Sequence, residues 1–94
     1  SREVEEAIYK LDGVSEVAVI GLSDPVWIEK VTAVVVVKDG HALQAEDVIA
    51  HCKAVLASFK VPKQVDFVEA LPKNPSGKLL KRQLRKQYED DAVR

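Results

Sequence analysis

Ninety-four residues, 47% of them apolar, make one small domain with a modest core and no room for a large enclosed active site. The single cysteine excludes an internal disulfide framework and suits a reducing, cytoplasmic setting, and no apolar run approaches the ~20 residues a membrane helix needs. Net charge is −1 but bipolar: residues 1–50 hold ten acids against four Lys/Arg, and residues 51–94 hold ten Lys/Arg against five acids, which points to an anionic partner for the second half.

Val4, Ala7, Ile8 and Leu11 recur at i, i+3, i+4 and i+7, so an amphipathic helix is predicted over residues 2–11. Glu3, Glu5 and Glu6 favour its N-terminal end, and Asp12-Gly13 stops it. Val14 to Ile20 is largely apolar and β-branched, the pattern of a buried strand, with Gly21 as its expected end. Ser23-Asp24-Pro25 is turn chemistry, and Trp27 beyond it reads as a packing aromatic. Val31 to Val37 is the clearest strand, closed by Lys38-Asp39-Gly40. A helix is predicted over residues 45–57 with Val48, Ile49, Cys52, Val55 and Leu56 inward, which makes Cys52 a core residue rather than a nucleophile. Pro62 fixes the start of a third strand, Gln64 to Val68. After a turn at residues 71–77, a last helix is predicted from Lys78 to Tyr88, with Leu80, Leu84 and Tyr88 along one side. The order αββαβα predicts an α+β domain, a mostly antiparallel three-stranded sheet covered by helices. The chain opens without an initiator methionine, inside a helical pattern, and is expected to be a fragment of a longer polypeptide.

Few side chains offer chemistry. His41 and His51 are not spaced as metal ligands with Cys52 or with a carboxylate cluster, so no metal site is assigned. Lys78 follows two prolines, a serine and a glycine, a combination that presents a cation on a shaped loop. A lysine ammonium has no lone pair and serves as an electrostatic clamp on carboxylate or phosphate oxygens. At contact distance and an effective dielectric of ~20 the attraction is roughly 5 kcal/mol before desolvation. That is ample for the ~10²–10³ rate effects of one preorganised charge. The plainer reading is a connecting turn with a solvated lysine, and the spacing does not decide between them. Only the Gly77-Lys78 pair is shared with the glycine-rich phosphate loop, which needs an earlier glycine and a following hydroxyl. Phe59-Lys60-Val61-Pro62-Lys63 sets an aromatic beside two lysines on a proline-stiffened segment, suited to an adenine ring and a phosphate. Its plainer reading has Phe59 capping the helix core and the lysines solvated. The basic stretch 78–86 has few aromatics and no nucleic-acid motif around it, so nucleic acid is not expected as a partner and membrane association is peripheral at most.

Together these segments resemble the C-terminal domain of the adenylate-forming enzymes, specifically acyl-CoA synthetases of the fatty-acid type, over essentially the whole chain. Arg2-Glu3-Val4-Glu5-Glu6-Ala7-Ile8 resembles that family's P-x-E-I-E helix. Gly13 to Gly21 resembles its G-V-x-E-A-A-V-I/V-G strand, and Phe59 to Lys63 its Y/F-K-x-P-x segment. Leu71-Pro72-Lys73-Asn74-Pro75-Ser76-Gly77-Lys78 matches L-P-x-N-x-S/T-G-K throughout. The resemblance implies a two-step ligase. A carboxylic acid, with a fatty acid expected, and ATP give an acyl-adenylate and pyrophosphate, with Mg²⁺ on the phosphates. The small domain then swings, and coenzyme A attacks to give a thioester. It implies that Lys78 stabilises charge between carboxylate and α-phosphate in the first step and withdraws in the second. It implies that Phe59, Lys60 and Lys63 hold the nucleotide end of coenzyme A.

The Pro-x4-Gly-Lys spacing of Pro72, Gly77 and Lys78 is similar to the signature that protein lysine acyltransferases read. Reversible acylation of Lys78, with an acetyltransferase and deacetylase as partners, would therefore cancel its charge. ATP and Mg²⁺ would be bound mainly by an N-terminal domain outside this chain, as would the hinge and a glycine-containing loop, so the isolated chain is expected to be inactive. The chain departs from the family at Trp27-Ile28-Glu29, where Trp-Gly-Glu is usual. A branched side chain there would narrow the approach to the large domain. Two other readings stand beside this one: an enzyme that loads a carrier-protein thiol, and a non-enzymatic module whose basic helix binds nucleic acid or anionic lipid.

Overall fold

Alternating side chains on a central strand can be buried on both faces only if something packs on each, and residues 33–36 are apolar without a break. The computed structural model, which describes residues 2–24 and 28–93, resolves this run as the middle of a layered α+β domain. Its elements follow the predicted order: α1 (Arg2–Tyr9), β1 (Val14–Asp24), β2 (Ile28–Val37), α2 (Ala45–Val55), a 3₁₀ turn (Ser58–Lys60), β3 (Gln64–Phe67) and α3 (Lys81–Val93). Trp27, read as a packing aromatic, lies outside the described residues, and no helix among the described residues is long and apolar enough to cross a membrane.

The sheet order is β1-β2-β3. The expected antiparallel pairing holds for β1 and β2, which match Val17 with Val35 and Val19 with Ala33. β3 differs, because it runs parallel to β2, pairing Ala33 with Val65 and Val35 with Phe67. A parallel neighbour needs a crossover of a dozen or more residues, and α2 supplies it. Ala33 and Val35 face a core shared with Val4, Ile8, Val17, Val19, Val48, Cys52, Val61 and Val65, so α1 and α2 cover that side. Ala18, Ile20, Val34 and Val36 point the other way, onto Leu71 and Leu84, and α3 covers that side. β2 is therefore buried on both faces, which is why its sequence does not alternate.

Several expected boundaries move: α1 ends at Tyr9 rather than residue 11, β2 begins at Ile28 rather than Val31, β3 ends at Phe67 rather than Val68, and α3 runs on past Tyr88 to Val93. β1 does not stop at Gly21 but runs on to Asp24, paired with Ile28. α2 ends at Val55, two residues early, because Leu56 is extended and leads into the 3₁₀ turn. Val55, expected inward, is 56% exposed as a result. α3 starts at Lys81 rather than Lys78, because the backbone before it is committed to a different structure, described below.

Cys52 is fully buried, as its helical face required, and desolvation by that burial pushes its thiol above the ordinary range. Labelling of the native chain by a thiol reagent is expected to be at least about 10²-fold slower than in denaturant, because it must wait for opening. Fast labelling of the native chain would contradict the burial. The sign of the linkage follows: the raised value stabilises the protonated, folded form. This contribution is complete below the unfolded thiol's pKa of about 8.5 and is lost as pH rises through the higher folded value. Stability measured on the alkaline side should therefore fall more steeply in this chain than in Cys52→Ala.

Candidate functional site

The motif that ends at Lys78 folds into a small hairpin. Lys73 and Leu79 face one another as an antiparallel bridge. On one side of that pair the Leu80 N–H donates to the Pro72 carbonyl at 2.9 Å, and on the other the Asn74 N–H donates to the Lys78 carbonyl at 2.9 Å. The tip is a turn, closed by the Gly77 N–H on the Asn74 carbonyl at 2.9 Å. Asn74, Pro75 and Gly77 occupy the turn positions where each residue type is favoured: Asn first for its side-chain acceptor, Pro second for its fixed φ, Gly fourth. Gly77 has φ +86°, and a Cβ built there would meet nothing within 4 Å, so backbone conformation rather than crowding calls for glycine.

Asn74 organises the tip. Its Oδ1 accepts from the Ser76 N–H at 3.1 Å, the Ser76 hydroxyl at 2.8 Å and the Lys78 N–H at 2.8 Å. One side chain thus fixes the backbone of the lysine to the turn before it. Lys78 itself is exposed, and among the described residues its ammonium makes no ion pair or hydrogen bond. The expectation that it opens a helix is corrected: it stands on the return arm of the hairpin, three residues before α3, because residues 78–80 spend their backbone groups on the bridge. Sequence reading saw the turn but missed Asn74 as its hub, although asparagine at the first turn position was the available signal.

The feet of the hairpin are tied to the rest of the domain. Leu71 is buried against the β2 face and Leu79 packs beside it. The Lys73 ammonium pairs with the Glu16 carboxylate on β1. The Lys81 Nζ lies 2.6 Å from Glu5 Oε2 on α1, and the same oxygen accepts the Val19 N–H at 2.9 Å. None of these long-range pairs has a signature in the sequence.

The second predicted segment is placed elsewhere. Phe59 is 78% exposed, so the reading in which it caps the helix core is overturned: the 3₁₀ turn Ser58–Lys60 carries the ring outward. Lys60 lies over that ring, 5.6 Å from its centroid, and its Nζ is 2.6 Å from Glu3 Oε1. Lys63, also exposed, has its N–H bound to the Val31 carbonyl at 2.9 Å, which fixes the segment beside β2. Next to it an open groove of about 550 Å³ is lined by Ile49, Lys53, Leu56, Ser58, Pro62 and Lys63. The two predicted segments stand apart. Lys60 reaches Glu3, whereas Lys81, just beyond the hairpin, reaches Glu5. Two positions apart on a helix is roughly 200° of rotation, so the sites hang from different flanks of α1. Among the described residues no three His, Cys, Asp or Glu side chains come together as metal ligands, and no step is assigned to a metal held by this chain.

Comparison with known proteins identifies the fold and the family. A CoA ligase of Rhodococcus jostii, named for a methyl-dioxo-octahydroindenyl propanoyl group, is 53% identical over 85 residues, covering 90% of this chain. The long-chain-fatty-acid–CoA ligase FadD13 of Mycobacterium tuberculosis is 48% identical over 86 residues, covering 92% of it. The crystal structure of ATP-bound MatB from Rhodopseudomonas palustris superposes with a TM-score of 0.90 at 42% identity, covering 95% of this chain. The chain spans only 16% to 18% of the length of these relatives. The description AMP-binding enzyme C-terminal domain matches residues 3–78. That span holds all three strands and closes on the lysine at the hairpin, and this chain belongs to the AMP-binding enzyme C-terminal domain family.

Proposed function

We propose that this chain is the mobile C-terminal domain of an ATP-dependent acyl-CoA synthetase, an acid–thiol ligase acting in the cytoplasm. In this reading Lys78 enters a large N-terminal domain and stabilises the negative charge that builds between the attacking carboxylate and the α-phosphate of ATP. The observation that carries it is the hairpin: an exposed cation whose backbone is tied to the turn by the Asn74 side chain and whose ammonium has no partner among the described residues. A preorganised charge without an internal partner is what a developing anion needs, since nothing must be broken when it engages.

The second site fits the second half-reaction. An exposed ring, a lysine over its face and Lys63 beside an open groove suit the adenine and phosphates of coenzyme A. Placement on different flanks of α1 supports alternation, because a rotation that withdraws one site presents the other. ATP and coenzyme A are substrates in this scheme, and the chemistry of Mg²⁺, neutralising phosphate charge, is assigned to the N-terminal domain. The acid is proposed to be a fatty acid, as the sequence resemblance implies and as the name of one relative, FadD13, has it. Acylation of Lys78 by a protein lysine acyltransferase would remove the charge and arrest the first step, and a deacetylase would restore it.

The test is made in the full-length polypeptide, with adenylation followed by ATP–pyrophosphate exchange and thioester formation followed from supplied acyl-adenylate. A Lys78 variant must lose the first and keep the second. For the coenzyme A site, Lys63→Glu is expected to raise the KM for coenzyme A by roughly 10-fold, as losing one charge-assisted contact does, with the KM for ATP unmoved. An unchanged KM for coenzyme A would remove Lys63 from that site.

A further inference from the structure

The hairpin's own hydrogen bonds fix its shape but not its direction relative to the sheet. Direction comes from its two feet: Leu71 and Leu79 seat them on the sheet, and a carboxylate grips each arm. Glu16 of β1 pairs with Lys73 on the outgoing arm, and Glu5 of α1 pairs with Lys81 just beyond the return arm. Glu5 is the more deeply placed, its side chain only 19% exposed. It also accepts the Val19 N–H on the free edge of β1, so a single oxygen joins helix, sheet edge and hairpin.

The position is electrostatically pointed. α3 begins with Lys81 and Arg82 and has no acidic residue in its first turn, so cations sit where the helix dipole disfavours them. Glu5, reaching across from α1, supplies the anion that this helix start lacks. Lys78 lies between the two clamped positions.

We infer that Glu5 and Glu16 are positioning residues for adenylation, a two-point carboxylate clamp that aims Lys78 by gripping Lys73 and Lys81. This rests on the reading of Lys78 given above. Such partly exposed ion pairs contribute little to folding stability. They matter for direction, because a displacement of about 1 Å at a reacting group costs up to ~10²-fold in rate.

The experiment uses the full-length polypeptide carrying Glu5→Gln, and the pair Glu16→Lys and Lys73→Glu made singly and together. Gln at position 5 still accepts the Val19 N–H and loses only the charge. Glu5→Gln and each single variant at 16 and 73 should lower adenylation turnover by about 10–100-fold, with the KM for ATP and thioester formation from supplied acyl-adenylate within about twofold. The exchanged pair, Glu16→Lys with Lys73→Glu, should recover most of the loss, and melting temperatures should stay put. Equal loss in both half-reactions, unchanged adenylation, or no recovery in the exchanged pair would overturn the clamp. If Glu5→Gln fails to fold, the exchange at the more exposed 16/73 pair decides alone. Lys78→Ala separates the two ideas: if it leaves adenylation intact, the proposed function fails, whereas a dead Lys78→Ala beside fully active clamp variants sinks the clamp only.

Discussion

Lys78→Ala in the full-length polypeptide lowers adenylation turnover by about 10²–10³-fold and leaves thioester formation from supplied acyl-adenylate within about twofold. The hairpin predicts so clean a split because the variant removes a charge and little else. The side chain is exposed and makes no hydrogen bond or ion pair among the described residues, so no core residue or ion pair is lost. The Asn74 bond goes to the backbone N–H of residue 78, which alanine keeps. Stability should therefore move by no more than the about 0.5 kcal/mol typical of surface substitutions. Lys78→Arg provides a finer test. It keeps the charge but spreads it over a planar fork, and it should restore only part of the rate where a compact ammonium fits between a carboxylate and a phosphate. Equal loss of both half-reactions in Lys78→Ala would mean that the lysine supports the domain rather than the first step.

Much of this is legible in the sequence, for a physical reason. Periodicity and turn residues located the three α-helices and three strands, because helix and strand periods and Pro/Gly punctuation are local signals, but not the 3₁₀ turn Ser58–Lys60. The direction of β3 was not local. It follows from the strand–helix–strand order of β2, α2 and β3, whose long crossover permits a parallel return that the antiparallel expectation passed over. The start of α3 was misplaced because Lys78-Leu79-Leu80 reads as helix by composition. Only the bonds to Asn74 and Pro72 show that those residues are already engaged. The lysine, the aromatic and the basic pair were visible as residue types. Their separation onto two flanks of α1 was not, because it depends on Glu3 and Glu5 meeting partners up to 76 positions away, Lys60 and Lys81. A site's chemistry can be written locally while its aim is set by contacts that cross the fold.

That dependence on α1 makes its anchoring residue a sensitive place for stability. Ile8 is fully buried in the core shared by α1, α2 and the sheet, and α1 is otherwise a short helix, Arg2–Tyr9, that could not persist in water unsupported. Ile8→Ala removes buried methyl and methylene groups and leaves a cavity between packed layers. It should cost about 3 kcal/mol, within the 2–5 kcal/mol range of such truncations. For a domain of this size that lowers the melting temperature by about 12–24 °C. Val55→Ala provides the contrast. Helical spacing placed Val55 inward, but at 56% exposure its truncation should change stability by no more than about 0.5 kcal/mol. Melting curves of the two variants beside the parent chain check both. Similar losses in both would show that α2 continues past Val55 and packs that residue, against the geometry described. A near-neutral Ile8→Ala would show that α1 is held by its ion pairs rather than its core. In the full-length polypeptide, loosening α1 should also weaken both half-reactions together, since Glu3 and Glu5 leave with it. That joint loss is the signature that separates damage to the platform from the selective loss expected at Lys78.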